Sequence, residues 1–325
     1  MPRMSSRLPI RAGLLSAAGI ASATGLALRS RREKPAPLAG QTAVITGAGS
    51  GIGRALAARL SEQGCPVAIV DANTATLEET ISMLSGPVLA RELDVRDRGG
   101  QLAFAAEVAE WAPAPIGAVF NNAGVALMST VAGASPEDDE WLMSINFDGV
   151  VNGVRAFLPL LLQQDSGAMV NTSSVFGLAG IPFQSAYCAS KFAVRGFTES
   201  LRHELVGTGV RAITIHPGGV RTNIARTSRM HVDPRGLGRT REEMASEFEA
   251  LVRTTPERAA EIIHSGVDAG KARILVGPDA YLFDILTRLA PTNYFRLLTS
   301  FGPLREMAPR EPMSVEEHAA SNGRH

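Results

Sequence analysis

The fold is decided by one stretch near the start of the chain, Thr42-Ala-Val-Ile-Thr-Gly-Ala-Gly-Ser-Gly-Ile-Gly53. Its short apolar run ends in glycines, which predicts a buried strand followed by a tight turn. An amphipathic helical pattern follows, so the turn would lie at a helix N-terminus, where backbone amides and the helix dipole favour a phosphate. The spacing of Gly47, Gly51 and Gly53 differs from the common G-x-G-x-x-G. A purely structural turn therefore stays open as the alternative.

A second predicted strand, Val67–Val70, ends directly before Asp71. A carboxylate at this place, about twenty residues beyond the glycines, can accept hydrogen bonds from the ribose diol of an adenosine. The same carboxylate would repel a 2′-phosphate, which favours NAD over NADP as the cofactor. The competing interpretation is that Asp71 is the N-cap of the following helix.

A tyrosine and a lysine lie four residues apart in Ser185-Ala-Tyr-Cys-Ala-Ser-Lys191. On a helix these two side chains would share one face. Because a neighbouring ammonium favours the phenolate, we expect Lys191 to lower the pKa of Tyr187 and make it a general acid or base. The plain alternative is a surface tyrosine beside a solvated lysine, since this spacing also arises by chance.

Strand and helix patterns alternate along the chain, which predicts an α/β fold with a Rossmann-like, doubly wound parallel β-sheet. Helical patterns cover Trp141–Leu162 and Tyr187–Leu205, among others. The predicted strands are Ala43–Ile45, Val67–Val70, Val88–Ala90, Ala118–Phe120, Ala168–Asn171, Val210–Ile215 and Arg273–Val276.

Five further motifs follow the glycine turn in a fixed order. They are Leu93-Asp94-Val95, Asn121-Asn122-Ala123-Gly124, Asn146 in Ser144-Ile-Asn-Phe147, Ser174 thirteen positions before Tyr187, and Pro217-Gly218-Gly219-Val220-Arg-Thr222. With the glycine turn and the tyrosine–lysine pair, this set resembles the classical short-chain dehydrogenase/reductase family. The resemblance runs from about Gln41 to about Val276. The ordered set identifies the family far better than any single motif does.

The resemblance implies an NAD(P)-dependent oxidoreductase that interconverts a secondary alcohol and a ketone by hydride transfer. Tyr187 would be the general acid/base, and Ser174, with Ser173 as the neighbouring alternative, would hold the substrate oxygen. Lys191 would tune Tyr187 and bind the nicotinamide ribose, and Asn146 would hold a water that links Lys191 to solvent. Cofactor contacts are implied for Gly47, Ser50, Gly51, Ile52, Gly53, Asp71, Asp94, Val95, Asn122, Ala123, Gly124, Tyr187, Lys191, Pro217, Gly218, Val220 and Thr222.

Two other functions remain open at this point. A non-catalytic member of the fold would bind the cofactor as a sensor or scaffold, but the complete set of four catalytic residues argues against it. An epimerase or dehydratase of the extended relatives would carry a different glycine spacing and a larger C-terminal substrate domain, and neither feature is found in the sequence.

Apolar residues beside the predicted site favour a lipophilic alcohol or ketone, such as a steroid, retinoid, fatty or terpenoid compound. Leu178, Ile181 and Phe183 lie in Gly177–Gln184, which would line one wall of the substrate cleft. The region after Thr222 would form a lid, through Met230, Pro234 and Gly236 towards Phe248.

The composition argues against several other classes of protein, such as nucleic-acid-binding, disulfide-rich and metal-binding proteins. The 325 residues are 45% apolar, enough for a large core, and 32 basic residues balance 32 acidic ones, so no global field attracts nucleic acid. Cys65 and Cys188 offer neither a disulfide framework nor metal-ligand spacing, and the six histidines are scattered. We expect no nucleic-acid partner, no metal, and a homo-oligomer, either a dimer or a tetramer.

Two segments flank the predicted catalytic domain, residues 40–277. Residues 1–39 carry seven positive charges and one negative around the uncharged run Ala12–Leu28. This pattern fits a secretory signal, a short membrane anchor, or an arm adsorbed on an anionic membrane. A secreted enzyme would lose its nicotinamide pool, so we expect a cytoplasmic enzyme, with membrane association as an open alternative.

The C-terminal segment, residues 278–325, contains two apolar amphipathic stretches before a polar tail. Tyr281–Leu289 and Tyr294–Phe301 are separated by Pro291 and predict a helical pair. Such a pair would cover the substrate cleft or an oligomer face, and contact with a membrane surface is the alternative.

Overall fold

Seven strands form the centre of the molecule in the computed structural model, which describes residues 36–230 and 238–301. The strands are β1 Thr42–Thr46, β2 Val67–Asp71, β3 Val88–Glu92, β4 Ile116–Asn121, β5 Ala168–Thr172, β6 Arg211–Pro217 and β7 Arg273–Val276. They form one sheet in the order β3-β2-β1-β4-β5-β6-β7, and every neighbouring pair is parallel. The predicted doubly wound parallel sheet is confirmed.

Helices flank this sheet on both faces. Those in the described ranges are α1 Gly51–Glu62, α2 Thr74–Ile81, α3 Arg98–Trp111, α4 Pro136–Met143, α5 Gly149–Gln163, α6 Ser185–Glu204, α7 Arg241–Leu251, α8 Pro256–Asp268, α9 Pro278–Leu289 and α10 Tyr294–Phe301. Gly64 follows α1 with φ +77°, the left-handed conformation in which glycine commonly ends a helix.

Two apolar clusters bury the two faces of the sheet. On one face Leu56 and Leu60 of α1 pack with Ile263 of α8. On the other, Phe104 of α3 and Phe157 of α5 meet edge to face, with ring centroids 6.1 Å apart. Because both faces are covered, the central strands β1, β4 and β5 are buried along their whole length and consist of near-continuous apolar runs.

The strand order reverses between β1 and β4, and sheets of this kind place their ligand sites at the carboxyl ends of the strands beside such a reversal. The glycine turn follows β1, Asp71 ends β2, Asn122 follows β4 and Ser174 follows β5. The fold therefore brings these separate motifs to one edge of the sheet.

The helix predicted over Trp141–Leu162 is not one regular helix. It begins at Pro136 and contains a π-helical turn, Ser144–Asp148, between α4 and α5. Asn146 lies in this turn and is fully buried. The sequence does not reveal the extra backbone residue of this turn, because the apolar helical pattern continues on both sides of it. Such turns are frequent at functional sites.

The same helical stretch, Pro136–Gln163, is the one in the described part of the chain that is long and apolar enough to cross a membrane. Half of its apolar window is buried, and Val150, Val154 and Phe157 pack against the sheet. It is thus a core helix. The expected membrane contact concerned residues 1–39, of which 1–35 lie outside the described residues.

The C-terminal helical extension is confirmed as α9 and α10. Phe283 and Leu298 of these helices are buried against the segment that follows β5, where they pack with Val175, Ala179 and Ile181. Ile181, which was expected to line the substrate cleft, faces this cluster because the helix pair covers it. Pro234 and Gly236 of the expected lid lie outside the described residues.

Candidate active site

The glycine turn is shaped by close contacts between backbone atoms. Gly47 has φ +67°, and a side chain there would begin 2.7 Å from the Cα of Ala123. A side chain on Gly53 would begin 2.1 Å from the carbonyl oxygen of Gly47. Gly51 has φ +53° and lies against Thr222. The turn therefore requires glycines, and it leaves the N-terminus of α1 open to a phosphate.

Asp71 reaches back to this turn. One of its carboxylate oxygens accepts a hydrogen bond from the Gly49 amide at 2.8 Å, and the other accepts from the Asn73 amide at 2.9 Å. Asn73, not Asp71, caps α2, since its side chain accepts from the Thr76 amide. The N-cap interpretation of Asp71 is therefore wrong, and the carboxylate lies where a ribose next to the glycine turn would meet it.

The segment after β4 is held to the same turn by Thr46, a residue that the sequence reasoning did not single out. The Thr46 hydroxyl accepts hydrogen bonds from the amides of Asn122 at 3.0 Å and Ala123 at 3.1 Å. The Asn122 side chain donates to the Thr46 carbonyl at 3.2 Å. A β-strand threonine directly before a glycine was the available signal, because its hydroxyl can bond neighbouring backbone.

Asp94 and Val95 follow β3 and lie at the edge of this region. The Asp94 carboxylate forms an ion pair with Arg96 at 2.6 Å, and hydrogen bonding from Arg96 lowers the pKa of Asp94. Val95 is buried against Gly149, and its carbonyl accepts from Gln101 at 2.6 Å. Both residues are thus fixed in place beside the predicted adenine position.

The loop after β6 completes the predicted cofactor site. Thr222 contacts Gly51 of the glycine turn, and Gly218 donates its amide to the carbonyl of Val276 at 2.9 Å. Val220, the next predicted contact, is buried and pairs with Thr254. Pro217 ends β6 itself, so the strand aims this loop at the same edge of the sheet.

Ser174 and Tyr187 lie together. Ser174 is buried two residues after the end of β5, close enough to Tyr187 for hydrogen bonding from its side chain to lower the pKa of the tyrosine. Ser173, the alternative, points elsewhere, because its hydroxyl donates to the backbone carbonyl of Lys191 at 2.7 Å. The structure therefore brings Ser174, and not Ser173, to the tyrosine hydroxyl.

Lys191 is buried with its ammonium 5.6 Å from the ring centroid of Tyr187. The ammonium donates to the Thr172 carbonyl at 3.1 Å and lies close to Gly124, where a side chain would begin 3.3 Å from Nζ. Burial lowers the pKa of Lys191 to about 8. The ammonium is therefore in reach of both the tyrosine and the segment after β4.

The Asn146 side chain forms hydrogen bonds with the protein through both its oxygen and its nitrogen. Its side-chain oxygen accepts from the Val125 amide at 2.8 Å, and its nitrogen donates to the Val125 carbonyl at 3.0 Å and to Ser190 at 3.2 Å. Ser190 in turn donates to the carbonyl of Tyr187 at 2.8 Å. The asparagine side chain thus ties the segment after β4 to α6, the helix that carries Tyr187 and Lys191.

The pKa of Tyr187 moves in the direction opposite to the prediction. Burial raises it to about 12, and hydrogen bonding with Ser174 opposes this rise only in part. The expected lowering by Lys191 is wrong for the protein's own groups, because the ammonium lies over the ring and bonds to Thr172. Loss of water around the phenol is the largest cause of the shift.

Comparison with known proteins agrees with this geometry. Residues 41–233 match the sequence model of the short chain dehydrogenase family. The chain belongs to the short-chain dehydrogenase/reductase family. A Mycobacterium tuberculosis protein provisionally named oxidoreductase SadH is 42% identical to it over 268 residues, which cover 80% of this chain and 95% of that protein.

Solved structures of other family members are similar as well. A short-chain dehydrogenase/reductase from Burkholderia phymatum in complex with NAD is 28% identical, with a TM-score of 0.73 over 86% of this chain and 100% of that one. A serine dehydrogenase complexed with NADP+ is 29% identical, with a TM-score of 0.65 over 73% of this chain and 95% of that one. Family members of this fold thus bind either dinucleotide.

His216, which the sequence did not predict as a site residue, contacts the backbone of Ser174. Its Nδ1 lies 3.0 Å from the Ser174 carbonyl, and because a carbonyl only accepts, Nδ1 carries the proton. Burial lowers the pKa of His216 to about 4, so the ring is neutral at physiological pH. A histidine directly before Pro217 on a buried strand was the only sequence signal.

The wall beside the tyrosine contains a residue in an unusual conformation. Phe183 has φ +65°, which a bulky residue rarely adopts, and its carbonyl accepts from the Ser129 amide at 2.9 Å. Phe183, Leu127 and Ala186 lie together here with the polar residues Ser129, Asp139 and Gln184 around a shallow depression. The wall next to Tyr187 in the sequence is therefore partly apolar and partly polar.

Among the residues that the structure describes, no group of three or more histidine, cysteine or acidic side chains converges. Cys65 and Cys188 are both buried with free thiols. Burial raises the pKa of the Cys188 thiol, so it is a poor nucleophile although it follows Tyr187 directly.

Proposed function

We propose that this protein is an NAD-dependent oxidoreductase that interconverts a secondary alcohol and a ketone on a lipophilic substrate. The observation that carries the proposal is the position of the Lys191 ammonium, 5.6 Å from the ring centroid of Tyr187, with Ser174 close enough to lower the pKa of that tyrosine by hydrogen bonding. These groups share the carboxyl edge of the sheet with a glycine turn that fits a dinucleotide phosphate.

The protein's own groups would manage the proton. In the oxidising direction Tyr187 as phenolate takes the proton from the alcohol oxygen, while Ser174 donates a hydrogen bond to that oxygen. A nicotinamide cofactor held at the glycine turn would supply the acceptor for the hydride that leaves the carbinol carbon. In the reducing direction Tyr187 returns its proton to the carbonyl oxygen.

Because the pKa of Tyr187 is raised, the rates of the two reaction directions should depend differently on pH. Alcohol oxidation needs the phenolate, so its rate rises as the pH rises towards the pKa of the tyrosine. Ketone reduction needs the phenol, so it is not limited by deprotonation at neutral pH. Steady-state rates measured in both directions across neutral to alkaline pH test this, and equal profiles in the two directions would contradict it.

Asp71 supports NAD over NADP. Its carboxylate is fixed by the Gly49 and Asn73 amides beside the glycine turn, where a 2′-phosphate would meet a negative charge. We expect NADH to bind at least about tenfold more tightly than NADPH, and Asp71→Ala to remove most of that difference. Fluorescence titration of both cofactors measures it, and a wild-type preference for NADPH would overturn this assignment.

The substrate class rests on the apolar residues of the segment that leads to Tyr187. Phe183 lies there beside Leu127 and Ala186, whereas Ile181 packs against the C-terminal helices instead. We therefore expect turnover of lipophilic secondary alcohols and not of small charged hydroxy acids. A panel of both classes, followed by NADH absorbance with Tyr187→Phe as the blank, decides between them.

The cellular setting forms part of the same proposal. We infer a cytoplasmic homo-oligomer, with the basic and apolar segment 1–39 as a membrane contact. Sedimentation with anionic vesicles would retain the full chain and lose a variant that starts at Pro35. Equal recovery of the two proteins would remove the membrane assignment without affecting the enzyme.

A further inference from the structure

Tyr294 of α10 holds the middle of the segment between the two catalytic side chains. Its hydroxyl donates to the Gly180 carbonyl at 2.9 Å and accepts from the Gly180 amide at 2.9 Å. Gly180 lies six residues after Ser174 and seven before Tyr187. One hydroxyl thus satisfies both backbone groups of the residue halfway along this loop.

Asp279, in the first turn of α9, holds the other side of the site. Its carboxylate accepts a hydrogen bond from the Gly219 amide at 2.6 Å. It also fills the space next to Gly218, where a side chain would begin 2.2 Å from its oxygens. Hydrogen bonds to a charged acceptor are stronger than neutral ones, so this contact fixes the loop that follows Pro217.

An aromatic contact joins these two attachments. The Phe283 ring of α9 meets the Phe176 ring edge to face at 6.1 Å, and Phe176 meets the Tyr187 ring in the same way at 6.3 Å. Phe283 is buried. The helix pair therefore reaches the tyrosine itself through one intervening ring.

We propose that Tyr294 and Asp279 are positioning residues, through which α9 and α10 hold the substrate-side segment 175–187 and the cofactor-side loop 217–222 at their working separation. The proposal rests on the oxidoreductase function above and adds to it two residues that act through the backbone of Gly180 and Gly219. Their roles differ: Tyr294 fixes the substrate side and Asp279 the cofactor side, so their loss affects different constants.

The decisive variant is Tyr294→Phe, which removes the hydroxyl and keeps the ring. Loss of both hydrogen bonds frees Gly180, and we expect kcat/KM for the alcohol to fall about tenfold while the affinity for NADH stays unchanged. Tyr281→Phe is the matched control, because Tyr281 is 52% exposed on α9 and forms no hydrogen bond with the described residues. It should behave as wild type.

The second variant pair separates the role of the carboxylate from its volume. Asp279→Ala frees the Gly219 amide, and we expect the dissociation constant of NADH to rise about tenfold. Asp279→Asn keeps an acceptor oxygen at the same place, so it should restore most of the affinity. A residue that merely supports folding would show neither the rescue nor the separation from Tyr294→Phe.

Amide hydrogen exchange gives a readout that does not depend on turnover. The Gly180 amide should exchange faster in Tyr294→Phe than in Tyr281→Phe, even if no alcohol in the panel is oxidised. If it does while the wild type is inactive, the positioning role stands and the proposed function fails. If Gly180 exchange and kcat/KM match those of the control, or if Tyr294→Phe weakens NADH binding as much as Asp279→Ala does, the positioning role is overturned.

Discussion

The two sides of the site are built by different means. On the cofactor side, glycines such as Gly47 and Gly53 allow backbone segments to approach so closely that no side chain fits. On the catalytic side, Tyr187, Lys191 and His216 have pKa values shifted by burial. We therefore expect cofactor binding to depend on backbone shape and catalysis on the exclusion of water, so substitutions on the two sides should have separable effects.

The largest expected effect is on the catalytic side. Tyr187→Phe keeps the ring against Phe176 and removes the group that exchanges the proton, so we expect turnover to fall by about a thousandfold. Affinity for NADH should not change. Steady-state kinetics with a parallel fluorescence titration measures both quantities. Residual turnover near the wild-type rate would show that the proton passes through another group.

On the cofactor side, Gly53→Ala should weaken NADH binding, which Tyr187→Phe leaves unchanged. The new methyl would lie 2.1 Å from the Gly47 carbonyl oxygen, so the turn must open. We expect NADH affinity to fall more than about tenfold and the free energy of unfolding to fall by about 1–3 kcal/mol. Cofactor titration and chemical denaturation measure the two changes.

A matched glycine tests whether close contact is the cause. Gly196, inside α6, has no atom within 4 Å of an added methyl. Gly196→Ala should leave NADH binding unchanged and stabilise the fold by about 0.5–1 kcal/mol, because alanine favours the helix. If both glycine variants lose affinity equally, crowding at the turn is not what shapes the cofactor site.

The smallest effect concerns pH and returns to the catalytic side. Burial holds the pKa of His216 at about 4, below the value of about 6.5 expected in the unfolded chain. Between these values the unfolded chain binds a proton that the folded protein does not. The free energy of unfolding should therefore fall as the pH drops from about 6.5 to about 4, by at most about 3 kcal/mol from this residue.

His216→Asn provides the control for that measurement. Asparagine does not titrate, and its amide can still donate to the Ser174 carbonyl. Denaturation curves at several pH values should show a weaker acid dependence in the variant than in the wild type. Identical dependence in both proteins would place the titrating group elsewhere.

The sequence predicted what depends on local patterns. All seven strands and the glycine turn were found, because a buried parallel strand is a short apolar run and a tight turn needs glycine. The spacing from Tyr187 also favoured Ser174 over Ser173, and the hydroxyl of Ser173 is bonded to the backbone of Lys191 instead. The choice between Asp71 and Asn73 as the N-cap of α2 needed the structure, since only the contact of Asn73 with the Thr76 amide showed which residue caps the helix.

What the sequence could not supply depends on distant partners. Spacing placed Lys191 beside Tyr187, but the direction of the pKa shift follows from burial, which many segments create together. Tyr294 and Gly180 are 114 residues apart, and no periodicity connects them. The π-helical turn was not predicted, because the apolar pattern on either side of it is that of a regular α-helix.

That turn also constrains how this helix can change in length. A regular helix advances about 100° per residue, and the extra residue in Ser144–Asp148 lets α4 and α5 each present the correct face to its own neighbours. Deleting one residue there would restore regular winding and put the two halves out of phase. Asn146 and the buried face of α5 could not then both keep their contacts, so the length of this helix matters even at positions where the side chain does not.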